Sequence, residues 1–242
     1  MSLDAAFDSP SAKARHVRRL FATIADRYDL ITRVLSYGMD GRWKARLVAR
    51  AGVGPGERAL DLATGTGDLA FALAARGATV VGLDVTHRML VLARVKAQRS
   101  PAAGVTWTVG DMAALPCRAR SFTLVTTSYG LRNVPDLETA IDEIVRVLAP
   151  GGRLLSLDFN RPSHPLVRGA YLAYLTAVGA ILGWLLHGDP DTYRYIPASI
   201  HRYPGAAGVA ERLRARGLVD VQIVPVLWGL MTMHVAHRPN DA

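Results

Sequence analysis

The chain has 242 residues, half of them apolar, and a single cysteine. That length supports one sizeable core in a single α/β domain with appendages, and the lone cysteine excludes an internal disulfide framework and any cysteine-built metal cluster. The net charge is +9, but all except Lys13, Lys44 and Lys96 of the 29 basic residues are arginine, so the excess reads as compositional before it reads as a nucleic-acid signature.

Asp4 and Asp8 stand where a secretory signal needs an apolar run, which predicts a cytoplasmic protein. From Ala14 to about Ala51 the pattern is helical. Val17, Leu20, Phe21 and Ile24 recur at helical spacing, then Tyr28, Ile31, Val34 and Leu35. Ser36-Tyr37-Gly38 breaks the pattern before a further helix with Trp43, Leu47 and Val48, so residues 1–51 read as a helical cap. Arg15, Arg18 and Arg19 lie on this segment as a solvated helix face, or as an attraction for acidic phospholipid or RNA.

Ala59 to Leu62 reads as a buried strand, Thr64 to Gly67 as a tight loop, and the run from Leu69 through Ala75 as the start of a helix. Gly65 and Gly67 remove the Cβ atoms that would hold a nucleotide-like ligand away from the main chain. Gly65-x-Gly67-x-x-Ala70 also satisfies the loose dinucleotide pattern, so NAD(P) competes with S-adenosylmethionine (AdoMet) here. The flanking Asp61 and Asp68 favour AdoMet, whose ammonium and sulfonium they would attract and where a pyrophosphate would be repelled. Asp68 reads equally as a plain helix N-cap.

A second strand, Thr79 to Asp84, ends in an acid placed to accept both ribose hydroxyls of an adenosine. Val85 adjoins it at the start of a helix running to Arg99, with Met89, Leu92 and Val95 inward. After the third strand, Val105 to Val109, Asp111 can accept from an adenine amino group while Met112 packs on the ring; the pair reads also as a cap and a core residue. The fourth strand, Phe122 to Thr127, is continuously apolar, as in sheets covered on both faces. It runs into Ser128-Tyr129-Gly130-Leu131-Arg132-Asn133-Val134-Pro135, a polar and aromatic loop where doubly wound sheets bind ligands.

A helix over Leu137–Leu148, a turn at Pro150-Gly151-Gly152 and a fifth strand from Arg153 to Phe159 follow. Gly169 to Leu186 holds no charge and approaches membrane-spanning length, but its glycines and tyrosines favour a buried lid helix over an apolar substrate, ahead of shallow membrane contact and, last, a spanning helix. A helix over Val209–Arg216 and strands over Val219–Val226 and Leu230–His237, the last two antiparallel, complete an α/β seven-stranded sheet of the class I AdoMet-dependent methyltransferase type, Rossmann-like with helices on both faces. Residues 52–159 form its cofactor-binding core, 160–204 a helical lid inserted between strands five and six, and 205–242 a closing helix and strands.

Tyr28-Asp29, Leu35-Ser36-Tyr37-Gly38, Trp43-Lys44, Asp61 to Leu69, Ser128 to Val134, Pro150 to Leu154 and Asp189 to Tyr195 are motifs in which the chain resembles the UbiE/MenG/COQ5 family of quinone-biosynthesis C-methyltransferases. The resemblance runs from about Phe21 to His237. It implies that Thr66, Asp84, Asp111, Met112 and Ser128 line the AdoMet site, although Asp111 stands where relatives often have asparagine and Met112 where they often have alanine. It implies a polyprenyl quinol substrate, menaquinone or ubiquinone type, and leaves a homodimer and peripheral contact with the inner face of the membrane open.

A quinol carbon becomes nucleophilic when the neighbouring hydroxyl is deprotonated or polarised. Arg132 is expected to stabilise the developing phenolate and Asn133 to orient it, with His201, Tyr193 and Asp189 as candidate proton acceptors. AdoMet supplies the electrophile, so no metal is required. Rival readings are a methyltransferase of another phenolic or isoprenoid metabolite, a nucleic-acid methyltransferase, which lacks its Asn/Asp-Pro-Pro-aromatic motif after strand four, and a cofactor-binding scaffold.

Overall fold

The computed structural model describes residues 3–98 and 104–241. Its strands, in chain order β1 (Arg58–Leu62), β2 (Thr79–Asp84), β3 (Val105–Val109), β4 (Phe122–Ser128), β5 (Leu148–Phe159), β6 (Val219–Val226) and β7 (Met231–His237), form one sheet ordered β3-β2-β1-β4-β5-β7-β6. The first five are parallel and β7 runs antiparallel to both its neighbours, as its pattern predicts. Strand order reverses between β1 and β4, so a crevice opens at their carboxyl ends.

Because both faces are covered, the central strands are buried without polar alternation; Ala59 to Leu62 and Leu124 to Thr127 are all inaccessible. Side chains still alternate between faces. Ala59, Val80, Leu124 and Leu155 join Trp43, Leu47 and Leu73 in one core, while Leu60, Leu83, Val125 and Leu154 join Ile141, Ile144 and Leu213 in the other.

The helices are α1 (Pro10–Ile24), α2 (Tyr28–Leu35), α3 (Asp40–Ala51), α4 (Asp68–Ala74), α5 (His87–Ala97), α6 (Leu137–Val147), α7 (Pro165–His187), α8 (Tyr195–Arg202) and α9 (Gly205–Ala215). Ser9 starts α1: its Oγ accepts from the Ala12 N–H at 3.2 Å, and Pro10 occupies the first turn, where no N–H is needed. A short turn at Ala25–Arg27 separates α1 from α2. α3 packs on α4 and β5 through Trp43, Leu47, Val48 and Ala51, making it part of the sheet's covering layer, while α1 and α2 lie over the crevice.

Three sequence expectations differ from the structure. Val95 is exposed and Met89, Leu90 and Ala93 form the inner stripe of α5, whose expected end at Arg99 lies outside the described residues. The glycine turn at residues 150–152 is absorbed into β5, where the register against β4 shifts between Phe122 and Leu124. The apolar helix, α7, is not buried: only 22% of its most apolar window is enclosed.

Candidate active site

Two adjoining cavities open at the carboxyl ends of the strands. The first is lined by Gly65, Asp84, Val85, Asp111, Met112 and Ser128 from the strand-end loops, with Val17, Arg18 and Phe21 of α1 above. The second is lined mainly by apolar and aromatic side chains, among them Ile24, Ile31, Phe159, Tyr193 and Tyr195, together with Arg132. Phe21, Tyr28, Tyr129 and Asn133 border both.

The glycine loop is built for close approach from one side and packing on the other. Gly65 faces the first cavity, and its N–H donates to Asp84 Oδ2 at 2.9 Å. Gly67, at φ +88°, is held by packing: a Cβ there would stand 2.5 Å from the Trp107 ring. Ala63 and Tyr129 adopt positive φ without being glycine, at 51° and 61°, where the chain leaves β1 and β4. Strained backbone at the lining of a cavity marks positions that the surrounding packing over-determines.

Asp84 ends β2 with both oxygens anchored, Oδ1 accepting from the Thr86 N–H at 2.8 Å. Burial pushes its carboxyl up while these two backbone donors pull it down. Each oxygen keeps a lone pair for a ligand hydroxyl. Asp111 sits at the far side of the cavity, where Arg18 Nη2 reaches Oδ2 at 3.3 Å and Ala113 N–H reaches Oδ1 at 2.9 Å.

Asp61, Thr66, Gly67 and Asp68 do not line the cavity. Asp61 lies beneath the loop, accepting from Thr64 at 2.6 Å and Thr126 at 2.8 Å, and burial raises its carboxyl to about 6. Thr66 donates to Asp29 Oδ1 at 2.6 Å, turning outward to α2. Asp68 pairs with Lys44 at 3.1 Å and with Lys96; burial opposes its charge, yet the two ammonium groups hold its carboxyl below the usual range. Lys44 in turn meets Asp40 at 2.6 Å, and Asp40 accepts from the Tyr129 hydroxyl at 2.7 Å. This network ties the helical cap to the two loops, and it corrects the charge argument: Asp61 and Asp68 are satisfied by the protein, leaving Asp84 and Asp111 as the acids that face a ligand.

Arg132 is buried where the cavities approach each other. Its N–H donates to Asp158 Oδ2 at 3.1 Å, its Nε lies 3.4 Å from Asp158 Oδ1, Nη1 donates to Ser199, and the guanidinium covers the Phe159 ring at 5.2 Å. Burial raises the Asp158 carboxyl and Arg132 offsets part of that cost. Asn133 donates to Tyr129 O at 2.6 Å, and its buried Oδ1 has no partner. An orphaned acceptor on the border of two cavities fits a ligand ammonium or hydroxyl.

The other three catalytic candidates are not gathered there together. Tyr193 lines the second cavity, but its hydroxyl bonds His187 Nε2 at 2.9 Å and burial pushes its pKa up to about 12. His201 is exposed on α8, and Asp189 is exposed in a turn where it accepts from the Asp191 N–H at 2.9 Å; neither borders a cavity.

Tyr28, Tyr129 and Tyr195 line the cavities, and Asp158 holds Arg132, without any of the four standing among the residues expected at the site. Asp158 had a usable signal, since it lies one residue before the end of a central parallel strand, as Asp84 lies at the end of β2. Lys13 was missed entirely. It donates to Arg132 O at 3.1 Å from α1, and its pKa is lowered to about 8 by burial and by Arg132.

Comparison with known proteins identifies the family and the fold. A model of the ubiE/COQ5 methyltransferase family matches residues 9–238. The chain is 41% identical over 222 residues to the demethylmenaquinone methyltransferase of Thermus thermophilus, covering 91% of this chain and all of that one. It is 38% identical to a demethylmenaquinone methyltransferase of a Mycobacterium species, across 92% and 94% of the two chains. It is 34% identical to the ubiquinone/menaquinone biosynthesis C-methyltransferase UbiE of Cereibacter sphaeroides, across 92% and 90%. Among solved structures, a putative S-adenosyl-L-methionine-dependent methyltransferase from Methanococcus maripaludis superposes with a TM-score of 0.63 at 17% identity, over 91% of this chain and 94% of that one. A SAM-dependent methyltransferase from Aquifex aeolicus gives 0.58 at 15%, over 80% and 88%, and the two share the fold with this chain. The chain belongs to the ubiE/COQ5 methyltransferase family, and it is an AdoMet-dependent methyltransferase of the class I fold.

Proposed function

We propose that this enzyme methylates a ring carbon of a prenylated quinol, of the demethylmenaquinol type borne by the names of its relatives, with AdoMet in the first cavity and the ring in the second. One observation carries the reading: an apolar, aromatic-walled cavity abuts the cofactor cleft through Asn133 and Tyr129, with a buried guanidinium at the junction.

The first cavity suits AdoMet. Asp84 would accept from the ribose, Asp111 from the adenine amino group, and Met112 and Val85 would flank the base, with Ser128 and the Gly65 backbone along the methionine portion. The bound cofactor supplies an electrophilic methyl group. The chain's own work is then to make the ring carbon a nucleophile and aim it.

Arg132 holds a permanent positive charge in a site of low dielectric and lowers the pKa of a neighbouring quinol hydroxyl. Asp158 and Ser199 fix the guanidinium, so little reorganisation is needed as phenolate charge develops. The hydroxyl proton passes to water at the cavity mouth, and Asn133 Oδ1 accepts from the bound partner at the border. The apolar walls exclude water from the ring and accommodate the first isoprene units. The long tail of such a substrate belongs in lipid, which puts the enzyme at the cytoplasmic face of a membrane.

The test is incubation with AdoMet and a short-chain demethylmenaquinol, with products read by mass spectrometry. The expected result is one added methyl on a ring carbon, lost in Arg132→Gln. Methylation at oxygen, or none with either benzoquinol or naphthoquinol substrates, would refute the reading.

A further inference from the structure

The most apolar helix of the chain presents its outer side to solvent. α7 is 23 residues long and contains no Asp or Glu. Tyr171, Leu175, Gly179 and Gly183 recur every fourth residue and face the protein. Gly179 packs against Tyr193, and at Gly183 a Cβ would collide with the backbone of Asp189. The opposite side carries Leu166, Ala170, Ala173, Ala177, Ile181 and Trp184, spaced by three or four residues and all exposed. Leu166 is 78% exposed, Trp184 65% and the adjacent Leu185 63%. A helix that is apolar all round yet packed on one side only has an unfilled partner.

Two further features extend the same face. Tyr37, at the end of α2, is exposed and stacks on Tyr174 of α7 with centroids 6.0 Å apart, bringing Leu30 and Val34 of α2 alongside. Trp228 lies at the β6–β7 turn, which meets α7 where the Tyr171 hydroxyl donates to Leu230 O at 3.4 Å. It is 95% exposed on a residue of positive φ, 52°. A strained turn that lifts an indole into water stabilises nothing within the chain.

We propose that the outer side of α7, with the end of α2 and Trp228, is a docking surface for an anionic phospholipid bilayer, on which α7 lies in the plane of the interface. Tryptophan and tyrosine at the margins suit the headgroup level, where an amphipathic ring has one end apolar and the other wet. Charge is complementary: Arg33 is exposed between Leu30 and Val34, Arg168 lies on α7, and the chain carries +9 overall. Asp189 and Asp191 lie beyond the C-terminal end of α7, where Arg194 pairs with Asp191 at 3.0 Å. Spanning is excluded by the inner stripe, which would have to leave its seat on Tyr193 and Pro190. Leu182 and Leu186 of α7 share a cluster with Ile24, Ile31 and Leu35, and the last three line the substrate cavity, so the seam between α2 and α7 runs from the proposed lipid face to that cavity's wall.

The face differs from the N-terminal arginines as an anchor, and the test separates them. Full-length protein is floated with vesicles of phosphatidylcholine alone and of phosphatidylcholine with phosphatidylglycerol, without AdoMet or quinol, so that failure leaves the methyl-transfer reading untouched. The proposal expects binding that is stronger on the anionic vesicles, and a loss of about tenfold or more in the triple variant Ile181→Ser/Trp184→Ser/Leu185→Ser. That variant should retain its circular dichroism and its turnover of a water-soluble short-chain quinol. Trp228→Ser should weaken binding further, and Arg15→Gln/Arg19→Gln should leave most of it. Wild-type protein that ignores both vesicles, equal binding by the triple variant, or equal binding to neutral lipid would overturn the proposal. So would a lipid-independent dimer, seen in sedimentation and abolished by the triple variant, which would make the face a contact between two copies.

Discussion

The two cavities are neighbours built on different principles. The cofactor cavity is made of short loops where β1, β2, β3 and β4 end, so each polar group is fixed by a backbone hydrogen bond within a few residues of its strand. The substrate cavity is assembled from α1, α2, β5, β7 and the segment after α7, and its one buried cation is held by Asp158 and Ser199, 26 and 67 residues distant in sequence. A site of the first kind tolerates change in the surrounding helices. A site of the second kind depends on tertiary packing at every wall.

The largest expected effect falls at the junction. Arg132→Gln should lower kcat by about 10²–10³-fold, the cost of removing one preorganised charge from a developing anion, while AdoMet affinity, measured by calorimetry, stays within about threefold. A parallel loss of AdoMet affinity would merge two sites that the account keeps separate. Next, Asp84→Ala should weaken AdoMet by roughly 10–100-fold, since it removes a ribose acceptor and strands the Gly65 N–H, with kcat at saturating AdoMet much less affected.

Smaller effects sharpen the boundary of the substrate cavity. Tyr193→Phe breaks the bond to His187 and should cost about 1 kcal/mol of stability in a urea titration, with turnover reduced only a fewfold. His201→Ala and Asp189→Ala lie outside both walls and should leave turnover within about twofold, a change too small for an essential proton acceptor. A loss above tenfold in either would return that residue to the catalytic list.

The smallest effect concerns the floor beneath the glycine loop. Asp61 is held up to about 6, against about 3.9 in an unfolded chain. Between those values the folded state carries the extra proton, so this group makes stability fall as pH rises from about 4 to 6. Asp61→Asn should remove that part of the slope, seen by comparing urea midpoints at the two ends of the window. An unchanged slope would mean that Asp61 ionises normally under the loop.

The same contrast governs what could be read from the sequence. The strands, the glycine loop and the acid at the end of β2 were legible because they are local: runs of apolar residues, two glycines and an Asp at a strand end. Arg132 and Asn133 were legible through their motif. Asp61 and Asp68 were read as ligand-facing because one sequence shows charge but not the partners that quench it; Thr126, Lys44 and Lys96 come from β4, α3 and α5. His201 and Asp189 stood in a polar, aromatic stretch whose composition suits either a site or a solvated helix and turn, and only packing separates the two. α7 was expected to be buried because periodicity cannot tell a core helix from one whose apolar partner lies outside the chain.

The most direct test is a crystal structure with S-adenosylhomocysteine and a short-chain quinol bound together. The account predicts the ribose on Asp84, the sulfur near Asn133 and Tyr129, and the quinol ring in the second cavity with a hydroxyl facing Arg132. A ring bound on the α1 side of the cofactor, or a hydroxyl turned away from Arg132, would contradict it.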